Sequence, residues 1–212
     1  MSSPRRRVGV LGTGVVGQTL AGRLSELGHH VVIGSRTATS SGVRTFAEAA
    51  EHAEVVVNAT AGVASLDALT LAGADHLAGK PLLDVANALD HSAGFPPAVL
   101  ASDAGSLAER LQAAFPGALV VKSLNTMTSA VMVRPRLLPG RHVNFLAGND
   151  AGAKSVVCEL LAEFGWQPQE LVDLGDLSGA RGMELYLPLW LRTYQVLGDA
   201  AFNLNIVRAA DS

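Results

Sequence analysis

The chain has 212 residues and a mass of 21.9 kDa, with 49% apolar and 17% charged residues, 22 glycines and 9 prolines. That composition excludes a disordered, collagen-like or coiled-coil protein. A net charge of −3 and a pI near 6.0 leave no basic excess to neutralise phosphates, so nucleic acid is excluded as the main partner. One cysteine, Cys158, makes neither an internal disulfide nor a zinc site and fits a reducing, cytoplasmic setting. Arg5, Arg6 and Arg7 before VGVLGTGVVG imitate a twin-arginine signal, but the apolar part is glycine-rich and runs into Arg23 and Glu26 without a cleavage site. No uncharged apolar run approaches ~18 residues, so no membrane-spanning helix is expected.

Short apolar runs alternate with amphipathic stretches. Val8 to Leu11 reads as a strand ending in glycines. Val16, Leu20, Leu24 and Leu27 then mark one helical face, stopped by Gly28. His30 to Ile33 is a second strand, Phe46 to Glu54 a short helix, and Val55 to Val57 a third strand. Ser65 to Leu77 predicts one helix or two turns broken at Gly73. Pro81 to Val85, a helix from Leu107 to Phe115, and Ala118 to Val121 follow. His142 to Leu146 is a sixth strand, leading into a helix whose apolar face runs from Ala153 to Phe164; Gln169 to Leu174 is a last short strand. Strand–helix alternation predicts a mainly parallel, doubly wound α/β sheet. From Met183 to Val207 the chain is apolar almost all round, with Pro188 expected to kink or end a helix. Such a segment needs burial against the sheet or a second subunit. The expected division is therefore 1–174 for the α/β domain and 175–212 for a helical appendage.

The chemistry starts at Gly12-Thr13-Gly14-Val15-Val16-Gly17, a G-x-G-x-x-G placed after a strand and opening a helix. Gly12 permits the tight turn, Gly14 lets the backbone approach a pyrophosphate, and Gly17 lets the helix pack close to the sheet. The helix N-terminus attracts the anion. At the end of the second strand, cofactors without a 2′-phosphate usually meet an acid. Here the chain reads Gly34-Ser35-Arg36-Thr37, with no carboxylate between Gly28 and Phe46. Ser35 offers a hydroxyl and Arg36 a charged fork for a phosphate, which selects NADP(H) over NAD(H). Arg44 adds charge if the TATSSG loop folds back.

The other strand ends should line the crevice. They are Asn58-Ala59-Thr60-Ala61, Asp84 to Asn87, and Lys122 to Asn125 and Thr126, small and amide residues that suit a flat nicotinamide and its ribose. Tyr186 and Tyr194 lack a lysine four residues on. The histidines at 29, 30, 52, 76, 91 and 142 have no metal-ligand spacing and read as surface or turn residues, so no metal is expected. Cys158 reads as a core thiol. Lys122 is the single candidate acid–base residue. It is placed to protonate a substrate, contact phosphate, or pair with Asp84.

VGVLGTGVVGQTLAGRLSELGHHVVIGSR, LLDVANAL, FPGALVVKSLNTM and FLAGND together resemble the NADP-dependent oxidoreductases that use coenzyme F420, a deazaflavin. They are equally similar to the cytosolic reductase domain of the STEAP ferric reductases. The resemblance implies a Rossmann-type domain with a small C-terminal helical part, usually dimeric through those helices. It puts Thr13, Val15 and Val16 at the pyrophosphate, Ser35 and Arg36 at the 2′-phosphate, and Ala59 to Ala61 with Asn87 and Asn125 around the nicotinamide. Deazaflavin-dependent members generally carry Pro and an aromatic residue after the third strand, where this chain has Asn58-Ala-Thr-Ala-Gly62. They also often have Lys soon after the Ser-Arg pair, where this chain has Ser and Thr. VANAL and VKSLNT lie nearer the STEAP pattern.

Hydride transfer between NADP(H) and a deazaflavin, flavin or ferric acceptor is the leading expectation, in a homodimer. The alternatives are an NADPH-dependent reductase of a small carbonyl or imine using Lys122, and a non-catalytic NADP(H) sensor.

Overall fold

The computed structural model describes residues 4–38, 42–90, 92, 94–99 and 105–209. Apart from β3, the first half alternates as expected: β1 (Arg7–Leu11), α1 (Val15–Glu26), β2 (His30–Ser35), β3 (Val43–Thr45), α2 (Phe46–His52), β4 (Val55–Asn58), α3 (Ser65–Ala72) and α4 (Ala74–Leu77). It continues with β5 (Pro81–Asp84), the two-residue strands β6 (Leu89–Asp90) and β7 (Ala98–Val99), α5 (Leu107–Ala114) and β8 (Leu119–Ser123). Then come α6 (Ser129–Val133), β9 (Asn144–Gly148), α7 (Ala151–Phe164), β10 (Leu171–Asp173), α8 (Ala180–Leu185) and α9 (Leu187–Leu197).

Among the described residues, eight strands make one sheet in the order β10-β9-β8-β5-β4-β1-β2-β3. Strand β1 sits between β2 and β4, with Val8 opposite both Val31 and Val55, so the winding reverses there. The sheet is a Rossmann-type, mainly parallel one with an apolar layer on each face. Leu20 and Leu24 of α1 pack with Val131 of α6 and Leu160 of α7 on one side. Ala49 of α2, Leu69 of α3 and Leu111 of α5 pack on the other. Capping boxes start two of these helices, Thr45 with Glu48 and Ser106 with Glu109, each cap being worth about 1 kcal/mol. Gly73, at φ 90°, divides Ser65–Leu77 into α3 and α4.

Several elements depart from the sequence reading. The stretch before Phe46 contains the edge strand β3, parallel to β2; residues 39–41 of the expected loop lie outside the described residues, as does His91. Strand β9 runs antiparallel to β8, with Val121 opposite Gly148. The short α6 packs on α1 and returns the chain at the same sheet end without a full crossover. That strand also starts two residues later than expected. His142 is diverted to the Pro135 carbonyl, and the Val143 N–H donates to Leu204 O, 2.9 Å away, not to the sheet. His142 and His29 are buried, not surface residues. His29 Nδ1 accepts from the Arg6 N–H, and its Nε2 meets Glu163 at 3.0 Å.

The apolar tail is not one kinked helix. It breaks at Tyr186, between α8 and α9, and Pro188 sits in the first turn of α9, where its missing N–H costs nothing. Gly198, in the left-handed region at φ 77°, ends α9. Leu187 and Leu191 are buried, but Leu189 is 60% and Val196 77% exposed. Arg181 ties α8 to α5 through two hydrogen bonds to Glu109, 2.8 and 2.7 Å. That guanidinium, helped by Ser106, holds the Glu109 carboxyl down at about 2. Cys158 is half-buried on α7, and burial pushes its thiol up, away from nucleophilic character. No described helix is long and apolar enough to cross a membrane.

Candidate dinucleotide site

The carboxyl ends of β1, β2, β4, β5 and β8 face one crevice at the reversal of strand order, the position where open α/β sheets bind ligands. Gly12 follows β1 with φ +122°, and a Cβ there would stand 2.5 Å from Ala59 O. A Cβ on Gly17 would stand 2.2 Å from Gly12 O, so only glycine lets α1 approach the turn this closely. At Gly14 a Cβ would meet nothing within 4 Å, which leaves the backbone open to an incoming group.

A cleft of about 970 Å³ opens beside this loop. Gly12, Thr13, Gly14, Ser35, Arg36, Thr37, Ala59, Thr60 and Ala61 line it. Ser35 Oγ donates to the Thr37 carbonyl at 2.5 Å, fixing the turn that carries Arg36. A smaller cavity of about 250 Å³ shares Ala59, Thr60 and Ala61 with it and adds Val16, Asn87 and Asn125. The two form a continuous site with a large polar end and a small end walled by Met127, Met132, Leu187, Trp190 and Leu191.

Asn87 and Asn125 clamp each other. Asn125 Nδ2 donates to Asn87 Oδ1 at 3.0 Å and to Met183 O at 3.2 Å, and Asn87 Nδ2 donates to Asn125 O at 2.8 Å. The residue before Asn125, Leu124, is the one described non-glycine residue with positive φ, 63°. A left-handed conformation costs roughly 1–2 kcal/mol. It is held by full burial of the Leu124 side chain and by its N–H donating to Asn144 Oδ1 at 3.2 Å. This strained turn sets Asn125 at the cavity wall. On the opposite side, Trp190 stacks on Tyr194 and Phe202, with ring centroids 5.7 and 5.3 Å away.

Other expected site residues are not among those lining either cavity. Val15 points out, 77% exposed, and Gly17 is buried under the turn. Asn58 is fully buried, donating to Ser65 Oγ and Asp84 Oδ1 and accepting from Thr60, so its amide is consumed internally. Thr126 is buried and outside both linings.

Lys122 is likewise outside them and fully buried. Its Nζ meets Asp84 at 2.8 Å and Glu184 at 3.0 Å, and donates to the Ala86 carbonyl. Burial alone would pull its pKa down, but the two carboxylates outweigh that and raise it above its ordinary value. Of the three expected roles for Lys122, the structure shows the pairing with Asp84.

Gln18, Phe46, Asp67 and Leu71 line the large cleft and went unread in the sequence. They come from helix faces whose orientation no local motif announces. The described residues contain no cluster able to hold a metal ion.

A family profile described as NADP oxidoreductase, coenzyme F420-dependent, matches residues 7–88. The metalloreductase STEAP3 of Rattus norvegicus is 32% identical over 199 residues, covering 87% of this chain and 38% of its own. STEAP2 of Homo sapiens is 32% identical over 193 residues, with 88% and 36% covered. The chain thus spans less than two fifths of these curated relatives. An imine reductase of Aspergillus terreus, 18% identical at TM-score 0.64, shares the fold over 92% of this chain and 64% of its own. The crystal structure of a candidate F420-dependent NADP-reductase from Arthrobacter sp. FB24 superposes at TM-score 0.89 with 46% identity, covering 96% of this chain and all of that one. With sequence, fold and length in agreement over the whole of that relative, the chain belongs to the family of coenzyme F420-dependent NADP oxidoreductases.

Proposed function

We propose that this protein is an NADP(H)-dependent oxidoreductase that passes hydride between NADP(H) and a deazaflavin or flavin, a ferric acceptor being reduced one electron at a time, with two ferric equivalents drawing on the reduced flavin. The observation that carries the reading is the continuous site, with Ser35 and Arg36 at its large end and the Asn87–Asn125 clamp at its small end. The site fits the dinucleotide on the chain's own geometry, through the open backbone at Gly14 and the shared wall at Ala59 to Ala61.

When bound, the nicotinamide supplies or takes up the hydride. The residues then have separable tasks. The turn from Gly12 to Gly14 and the start of α1 hold the pyrophosphate. Ser35, Arg36 and Thr37 take the 2′-phosphate. Thr60, Asn87 and Asn125 frame the small end, while Met127, Met132, Leu187 and Leu191 keep water from it.

Among the described residues, no titratable side chain lines the small cavity. That favours hydride transfer by positioning alone over a carbonyl or imine reduction needing a protein acid. We assign 175–212 to closing the small cavity, which Leu187, Trp190 and Leu191 reach, and to a homodimer contact through Leu189 and Val196, whose exposure a second copy would cover; sedimentation velocity reads that assembly. The single free Cys158 supports a cytoplasmic setting.

The test is NADPH oxidation, followed by absorbance, against a panel of the deazaflavin, FMN, FAD and ferric chelates. Turnover with at least one is expected. Binding of NADPH without turnover on any of them would leave a sensor, and absence of binding would remove the cofactor assignment itself.

A further inference from the structure

The buried network under the small cavity carries more charge than it neutralises. Asp84 and Glu184 are two carboxylates and Lys122 is one cation, at 2.8 and 3.0 Å, leaving one formal negative charge in excess. Among the described residues, the surrounding groups do not remove it. Asn58 and the Ala86 N–H donate to Asp84, and the N–H groups of Leu107 and Ala108, at the start of α5, donate to Glu184. These are dipoles, not charges. The neighbouring charges, Arg181 and Glu109, pair with each other and cancel.

The network also stands directly behind the cavity wall. Lys122 donates to the carbonyl of Ala86, a wall residue. Glu184, on α8, follows Met183, whose carbonyl accepts from Asn125, and lies three residues before the wall residue Leu187, the first of α9. The oxidised nicotinamide ring is cationic and the reduced ring neutral, so a fixed negative charge behind it acts on one and not the other.

We propose that the Asp84–Lys122–Glu184 network, through its excess negative charge, makes the site favour NADP⁺ over NADPH and so drives hydride out of NADPH toward the acceptor. Glu184 is then a positioning and specificity residue that touches no substrate. The proposal rests on the reading of the cleft as an NADP(H) site.

The experiment titrates NADP⁺, NADPH and 2′,5′-ADP against wild type, E184Q, E184D and G182K. Gln removes the excess charge while keeping the side chain's length, and Asp keeps the charge. Lys at Gly182 adds a cation on the exposed side of α8, where a Cβ meets nothing within 4 Å. In E184Q the ratio of the NADP⁺ to the NADPH dissociation constant rises by about fivefold, the size one unit charge exerts through a partly buried protein dielectric. In G182K it rises less, and in E184D it stays put. The 2′,5′-ADP affinity, which senses only the adenosine end, is unchanged in all four.

An unchanged ratio in both E184Q and G182K overturns the proposal, as does an equal shift in E184D and E184Q. If E184Q does not fold, G182K decides alone. Wild type that binds none of the three nucleotides overturns the cofactor reading instead, so the two failures are distinguishable.

Discussion

Arg36→Asp lowers the affinity for NADPH by about ten- to a hundredfold. The loss corresponds to the ~1.5–3 kcal/mol of a hydrogen bond to a charged group, at a factor of ten per 1.4 kcal/mol. Arg36 lines the large cleft, is exposed, and engages no carboxylate among the described residues, so its guanidinium is free for a ligand phosphate. An aspartate both removes that donor and repels the 2′-phosphate. The same aspartate accepts from ribose hydroxyls, so NADH affinity stays level or improves. Because the side chain is exposed, thermal stability moves by no more than about 0.5 kcal/mol. Calorimetric titration with both nucleotides measures the pair of effects. An unchanged NADPH affinity would remove Arg36 from the 2′-phosphate site, and equal losses for NADPH and NADH would point to a damaged cleft.

That prediction was open to sequence reasoning because its signals are local. A glycine turn between a strand and a helix, and a Ser-Arg pair closing the next strand, each act within a few residues of chain. The alternation of β1, β2, β4 and β5 was readable for the same reason, since each of these strands is a short apolar run with a breaker beside it. What the sequence hid depends on contacts between distant segments. Asn58, Lys122 and Thr126 stand at strand ends, where the rule for α/β sheets puts ligand contacts, yet burial takes all three out of the lining. Glu184 closes on Lys122 from a helix in the tail, and no spacing rule links the two. The reversal of β9 depends on how α6 packs against α1. The tail's apolar residues announced that something must cover them, and composition alone does not say which face stays open.

The two asparagines of the small cavity show how the visible and hidden parts combine. Their presence at strand ends was legible, but their arrangement depends on Leu124. A leucine forced to φ 63° is sustained by its buried side chain and by the Asn144 acceptor on the neighbouring strand β9. The Met183 carbonyl then draws Asn125 toward α8. The helical tail is thereby coupled to the cofactor end of the sheet by backbone contacts as well as by the ion network.

Lys122→Met destabilises the fold by about 3–5 kcal/mol, the loss seen when one partner of a buried ion pair is removed. Against a total of about 5–15 kcal/mol for a domain, that is a large share. At about 2–4 °C per kcal/mol for a chain of this size, the melting midpoint drops by roughly 10 °C. Two carboxylates cause the loss, since the variant leaves the buried Asp84 and the half-buried Glu184 with no cation between them. The sign of the pH dependence identifies them. Unpaired buried carboxylates take up protons on folding, so the folded variant binds more protons than the unfolded chain and its stability falls as pH rises. Moving K122M from pH 8 toward pH 5 therefore recovers part of the lost midpoint. Wild-type Lys122, with its pKa raised, contributes fully below its ordinary value of 10.5 and loses that contribution only at more alkaline pH, so it adds no slope in this range. Calorimetric melts of both proteins across that window measure the difference. If Lys122 served the chemistry and not the fold, its Met variant would instead melt like wild type at every pH, bind NADPH, and lose turnover alone. That outcome would return Lys122 to the chemistry and leave the Asp84–Glu184 pair without its structural role.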